Sequence, residues 1–70
     1  MKQWVAVWRN VHGHKYYWCH DLQGSGYWVD RFERPTEALA RYVTREILIV
    51  EMSKLGMAKG LDYEIDKEPS

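Results

Sequence analysis

The chain carries a single cysteine, Cys19, only two prolines and no net charge, and each scarcity removes a class of protein. One thiol cannot build an intramolecular disulfide framework. With no signal-like leader to read, it points to a reducing cytosol and a cytoplasmic setting. The aliphatic run Ile47-Leu48-Ile49-Val50 falls far short of the roughly 20 apolar residues a membrane-spanning helix needs. Charge of one sign is also missing. Ten Lys and Arg balance ten Asp and Glu, with residues 1–34 summing to +2, residues 35–61 to +1 and residues 62–70 to −3. Proteins that live on phosphate contacts cluster their cations, and here the cations are scattered. At 70 residues the chain makes one domain, because a chain this short buries only about 60% of its unfolded surface and has no material for a second core.

Aromatic residues are what the sequence has in excess. Eight of the ten fall between Trp4 and Phe32, in three short runs divided by glycine turns. Residues 3–9 read as a first strand, with Trp4, Ala6 and Trp8 on one face and Val5 and Val7 on the other. His12-Gly13 supplies a tight turn, since glycine accepts positive φ without steric cost. Residues 15–20 form the second strand, Gly24-Ser25-Gly26 breaks the chain again, and residues 27–32 form the third. Short connections between neighbours make this an antiparallel meander.

Pro35-Thr36-Glu37 carries the marks of a helix start, with Thr36 as the cap and Glu37 at the positive end of the dipole. The spacing predicts a helix over residues 36–55, closed by Gly56 or Gly60 with Lys54 or Lys59 in the last turn, Gly56 being preferred. Leu39, Val43, Ile47 and Val50 share its packing stripe. Residues 45–52 could equally be a buried strand, and length decides for helix. If helical, they point Leu48, Ile49 and Met52 away from the stripe, an apolar excess that wants a partner and predicts self-association. Residues 61–66 alternate apolar and acidic, reading as a fourth strand with an edge-protecting face of Asp62, Glu64 and Asp66. Residues 67–70 read as a frayed tail. The fold class is therefore α+β, with a β1-β2-β3 meander and a C-terminal β4 packed on one helix in the order β-β-β-α-β.

Chemistry is sparse. His12, His14, Cys19 and His20 are four zinc-type ligands in nine residues, but Cys19 and His20 are adjacent in a strand and point to opposite faces. No paired CxxC or HxxxH spacing accompanies them, so the histidines read as solvated residues, Cys19 as a small core hydrophobe, and no metal or cofactor is expected. Asp21 and Asp30 read as ordinary sheet-surface acids. Gly24-Ser25-Gly26 is too short to cradle a phosphate and does not open a helix. With no convergent nucleophile and base, the expectation is a protein that is not an enzyme.

The strands' relative parity is not fixed by sequence. Either the tryptophan face packs on the helix, or Val5, Val7, Tyr17, Cys19, Tyr27 and Val29 do, leaving an aromatic platform exposed. Tyr16, Trp8, Trp18 and Trp28 are the candidate partner-binding residues, because aromatic anchors dominate protein interfaces. The expected function is a protein-binding module, an inhibitor or adaptor, that also forms homo-oligomers. The alternative is a single-strand nucleic-acid binder that stacks bases on the same aromatics, with a metal-binding protein more remote. With no family motif to quote, the chain looks like the compact accessory proteins of phages and mobile elements, many of which bind and block a larger protein.

Overall fold

Runs of β-branched and aromatic residues prefer a pleated surface, and three of them give β1 (Trp4–Arg9), β2 (Lys15–His20) and β3 (Gly26–Asp30). Helix α1 (Arg45–Lys54) and strand β4 (Glu64–Lys67) complete the order β-β-β-α-β. The computed structural model describes residues 3–20, 26–35 and 38–67. All strand pairs are antiparallel and the sheet order is β3-β2-β1-β4, so the last strand docks beside the first. No helix among the described residues is long and apolar enough to cross a membrane.

The β1–β2 turn is organised by Asn10. Its side-chain oxygen accepts from the His12 and His14 amides at 2.9 and 3.0 Å, while Gly13 takes φ of 81°, a region closed to most side chains. Beyond the turn the ladder runs from Arg9↔Lys15 to Val7↔Tyr17 and stops. Trp4 instead exchanges both backbone hydrogen bonds with Tyr42, at 2.8 and 2.9 Å, and the Trp18 carbonyl accepts from the Ala40 amide at 2.9 Å. Residues 39–42 thus lie as a wedge between the opened ends of β1 and β2. Alternation along this extended segment sends Leu39 to one side of the sheet and Ala40 and Tyr42 to the other.

The wedge explains why the helix begins later than the sequence suggests. The predicted stretch from residue 36 is not helical over residues 38–42, because the open strand ends recruit that backbone as an added strand. Thr36 and Glu37, the expected cap and first-turn acid, lie outside the described residues. The cap is Thr44, whose hydroxyl accepts from the Ile47 amide at 3.1 Å, with Glu46 in the first turn. Residues 45–52 are helical, as length argued. The helix closes on Gly56 as expected: Gly56 takes φ of 81°, its amide donates to Ser53 and the Met57 amide donates to Met52, a pairing that satisfies the last free carbonyls.

The buried stripe of α1 is the reverse of the expected one. Leu48 and Met52 are fully buried, packed with Ala6, Trp18, Ala40, Tyr42 and Tyr63, whereas Val43, Ile47 and Val50 are exposed. Ile49 is half-buried. Apolar residues lie on more than one face of the helix, so periodicity alone allowed either stripe; Ala6 leaves room on the sheet for the long side chains of Leu48 and Met52. The set Leu48, Ile49 and Met52 therefore does not form an outer self-association surface.

Two strands also shift at their ends. β3 stops at Asp30, whose carboxylate accepts from the Phe32 amide at 2.8 Å and whose carbonyl accepts from Glu33 and Arg34, turning residues 31–33 out of the sheet. β4 starts at Glu64 and takes in Lys67, while residues 61 and 62 belong to a turn in which the Ala58 amide donates to Asp62. The remaining tail residues 68–70 lie outside the described residues.

Candidate functional site: an aromatic patch at one end of the sheet

The register fixes the parity that sequence left open. Tyr16 faces Trp8, Trp18 faces Trp28 and Ala6 faces Ile65, so all four tryptophans share one face, and it is the face on which α1 packs. Trp18 is 6% exposed and belongs to the core, which removes it from the set of candidate anchors. Its ring lies over Gly26: a Cβ there would collide with the indole and stand 2.6 Å from the Cys19 carbonyl oxygen. Glycine is required at that position by packing, not by backbone conformation.

The helix covers only the wedge end of this face. At the hairpin end Trp8 remains 41% exposed, with Tyr16 and Trp28 half-buried beside it. Ring centroids are 5.1 Å apart for Trp8 and Tyr16, 6.4 Å for Trp8 and Trp28, and 5.1 Å for Trp28 and the buried Trp18. This chain of tilted and edge-on contacts is the favourable geometry for aromatic pairs. It anchors the open residues on the core and limits their rotamers.

Charges around the patch are mixed. A hollow of about 240 Å³ beside Tyr16 and Trp28 is lined by Asp30, Glu33 and Arg34, and a second of about 240 Å³ joins Trp8 and Arg9 to Leu61, Asp62 and Glu64. At the wedge end Trp4 lies between two cations, the Arg45 guanidinium at 5.4 Å and the Lys67 ammonium at 5.8 Å from its ring. There, burial pushes the Tyr42 phenol above its ordinary pKa, with Glu51 and Tyr63 adding to the shift. The Tyr42 hydroxyl meets His20 Nε2 at 3.0 Å. Among the described residues the buried Trp18 Nε1 and Tyr63 hydroxyl have no hydrogen-bond partner, so the aromatic core is held against a polar cost.

The opposite face holds Val5, Val7, Tyr17, Cys19 and Val29 in a second buried cluster with Leu39. Lys15 and Asp66 form an ion pair of 2.6 Å there, reaching from β2 to β4 across β1. Their hydrogen bond raises the Lys15 pKa and lowers that of Asp66. A larger open groove of about 390 Å³ on this side is lined by His14, Lys15, Tyr17, Asp30, Arg31 and Phe32.

The histidine and cysteine residues do not converge. His12 and His14 sit in the β1–β2 turn, Cys19 is buried at the far end of β2, and His20 faces the wedge. Among the described residues no group of three His, Cys, Asp or Glu is placed to hold a metal ion. Asp21 and Gly24-Ser25 lie outside the described residues.

Ile47 and Val50 of α1, with Val43 just before the Thr44 cap, form a second exposed apolar surface where the spacing predicts core. Comparison with protein-family models, with curated proteins and with solved structures finds no match to this chain.

Proposed function

We propose that this chain is a small non-enzymatic protein-binding module, an adaptor or inhibitor working in the cytoplasm, that engages its partner through Trp8, Tyr16 and Trp28. The observation that carries this reading is the half-exposed Trp8 held between Tyr16 and Trp28, the latter braced on the buried Trp18. Large rings already held in place lose little conformational entropy on binding, which is why Trp and Tyr recur as interface hot spots. Stacking of unpaired bases on the same rings is the competing reading. Asp30 and Glu33 beside the patch disfavour phosphate there, and the chain has no net positive charge.

The test is a pull-down from the source cell with the wild-type chain and with Trp8→Ala, followed by titration of the captured partner at two salt concentrations. We expect Trp8→Ala to fold and to lose binding by about 2 kcal/mol or more, with little change between 50 and 200 mM salt. Phosphate-driven binding would instead fall by orders of magnitude over that range. A captured protein that binds a folded Trp8→Ala chain unchanged sinks the proposal.

A further inference from the structure

The sheet has two edges, and they are not equally defended. Trp4 and Trp18 direct their backbone groups into the wedge, which sets the direction of every other residue, because successive residues of a strand point their N–H and C=O groups to opposite sides. Tyr17 and Cys19 then face β3, so Tyr27 and Val29 turn their backbone groups inward to β2. Gly26, Trp28 and Asp30 turn theirs outward. By the same logic Val5 and Val7 face β4, leaving Ile65 and Lys67 on its outer edge.

On β4 that edge is blunted. The Lys67 amide is taken by the Asp66 carboxylate at 2.9 Å, and the Tyr63 carbonyl accepts from Gly60 at 2.8 Å. Three of its four residues are charged, the usual protection of an edge strand. On β3 the Asp30 carbonyl is filled by Glu33 and Arg34, but among the described residues nothing pairs with the outward groups of Gly26 and Trp28. The strand Gly26-Tyr-Trp-Val-Asp30 has β-forming aromatics and no charge before its last residue.

We propose that β3 pairs with β3 of a second copy of this chain, antiparallel about a two-fold axis through Tyr27. Gly26 of each copy then faces Trp28 of the other, and both N–H and C=O groups of both residues are satisfied by four hydrogen bonds. Centring the axis on Trp28 would set each Gly26 amide against an Asp30 carbonyl whose lone pairs are already used. The register through Tyr27 leaves no such orphan. It joins two four-stranded sheets into one continuous sheet and brings the two aromatic patches onto the same face. It is also an isologous pairing, the commonest symmetry of soluble oligomers. The proposal stands independently of what the aromatic patch binds.

The register supplies its own test. Tyr27 would face its copy in a non-hydrogen-bonded pair with Cα atoms about 4.5 Å apart, within disulfide range, and Tyr27 is exposed while the native Cys19 is buried. Sedimentation of the wild-type chain across the micromolar range should show a monomer–dimer equilibrium. Tyr27→Lys should weaken it at least tenfold, Val50→Glu should leave it unchanged, and Tyr27→Cys should cross-link to a covalent dimer on mild oxidation while Phe32→Cys does not. Circular dichroism and melting check that each variant folds, and if Tyr27→Lys does not, the cross-link decides. A monomer at all concentrations, a dimer lost in Val50→Glu but kept in Tyr27→Lys, or a Tyr27→Cys chain that does not cross-link would each overturn the proposal.

Discussion

Trp18 and Trp8 stand on the same face of the same sheet, yet one is 6% and the other 41% exposed. At the wedge end the helix, Tyr42 and Tyr63 close over Trp18; at the hairpin end nothing among the described residues closes over Trp8. The two ends use one residue type for two purposes. Buried tryptophan supplies area to a chain too small to have much core, and the exposed one is held in place by contact with that core.

Substitutions can break this division, and the largest effect lies at the buried end. Trp18→Ala should cost about 3–5 kcal/mol and Gly26→Ala should be comparably damaging, since its Cβ would displace the same indole; denaturant melts of both variants check this. Trp8→Ala should change stability far less while weakening partner binding by about 2 kcal/mol or more. A Trp8→Ala chain that melts like Trp18→Ala would erase the distinction between the ends.

The helix offers the next largest contrast. Leu48→Ala removes a fully buried side chain and should cost about 2–5 kcal/mol. Val50→Ala, at an exposed position, should stay within about 0.5 kcal/mol. Thr44→Ala removes the hydroxyl that accepts from Ile47 and should cost about 1 kcal/mol. Thermal melts monitored at the helix signal would rank the three.

The smallest effect belongs to the outer face. Asp66 has a lowered pKa in the folded chain because it accepts from Lys15, so its contribution is full above its unfolded value and is lost as pH falls through the folded one. Lys15 has a raised pKa for the same reason, so its contribution is full below its unfolded value and is lost as pH rises through the folded one. Stability should thus be flat across neutrality and fall at acid and strongly basic pH. Both side chains are partly exposed, so Asp66→Asn should remove less than about 1 kcal/mol and flatten the acid limb; melts from pH 3 to 7 would show it.

Much of this fold was legible because its signals are local. Alternation and turn residues mark the strands, and the Gly56 cap and the length of the apolar segment mark the end of the helix. What was not legible depends on contacts made far along the chain. Thr36 and Thr44 are equally good caps by sequence, and only the unfilled strand ends at Trp4 and Trp18 decide that residues 39–42 extend. Likewise both helix stripes are apolar, and the choice of Leu48 and Met52 rests on the small Ala6 opposite. The aromatic anchors Trp8, Tyr16 and Trp28 were legible as residues, but Trp18 could be assigned to the core only once strand parity was known.

The wedge also has a kinetic meaning. The β1–β2 hairpin can zip by itself only from its turn to Val7 and Tyr17, because the rest of each strand finds its partner in a segment that follows β3. Trp4 and Tyr42 meet only after most of the chain has been closed into a loop, a step whose entropy is lost before any contact repays it. Residues 39–42 act as a keystone, joining the first strand to the folding of everything after it. Tyr42→Ala should accordingly slow refolding in stopped-flow as well as lower stability, and a hairpin fragment lacking the keystone has no means of holding its strands together to their ends.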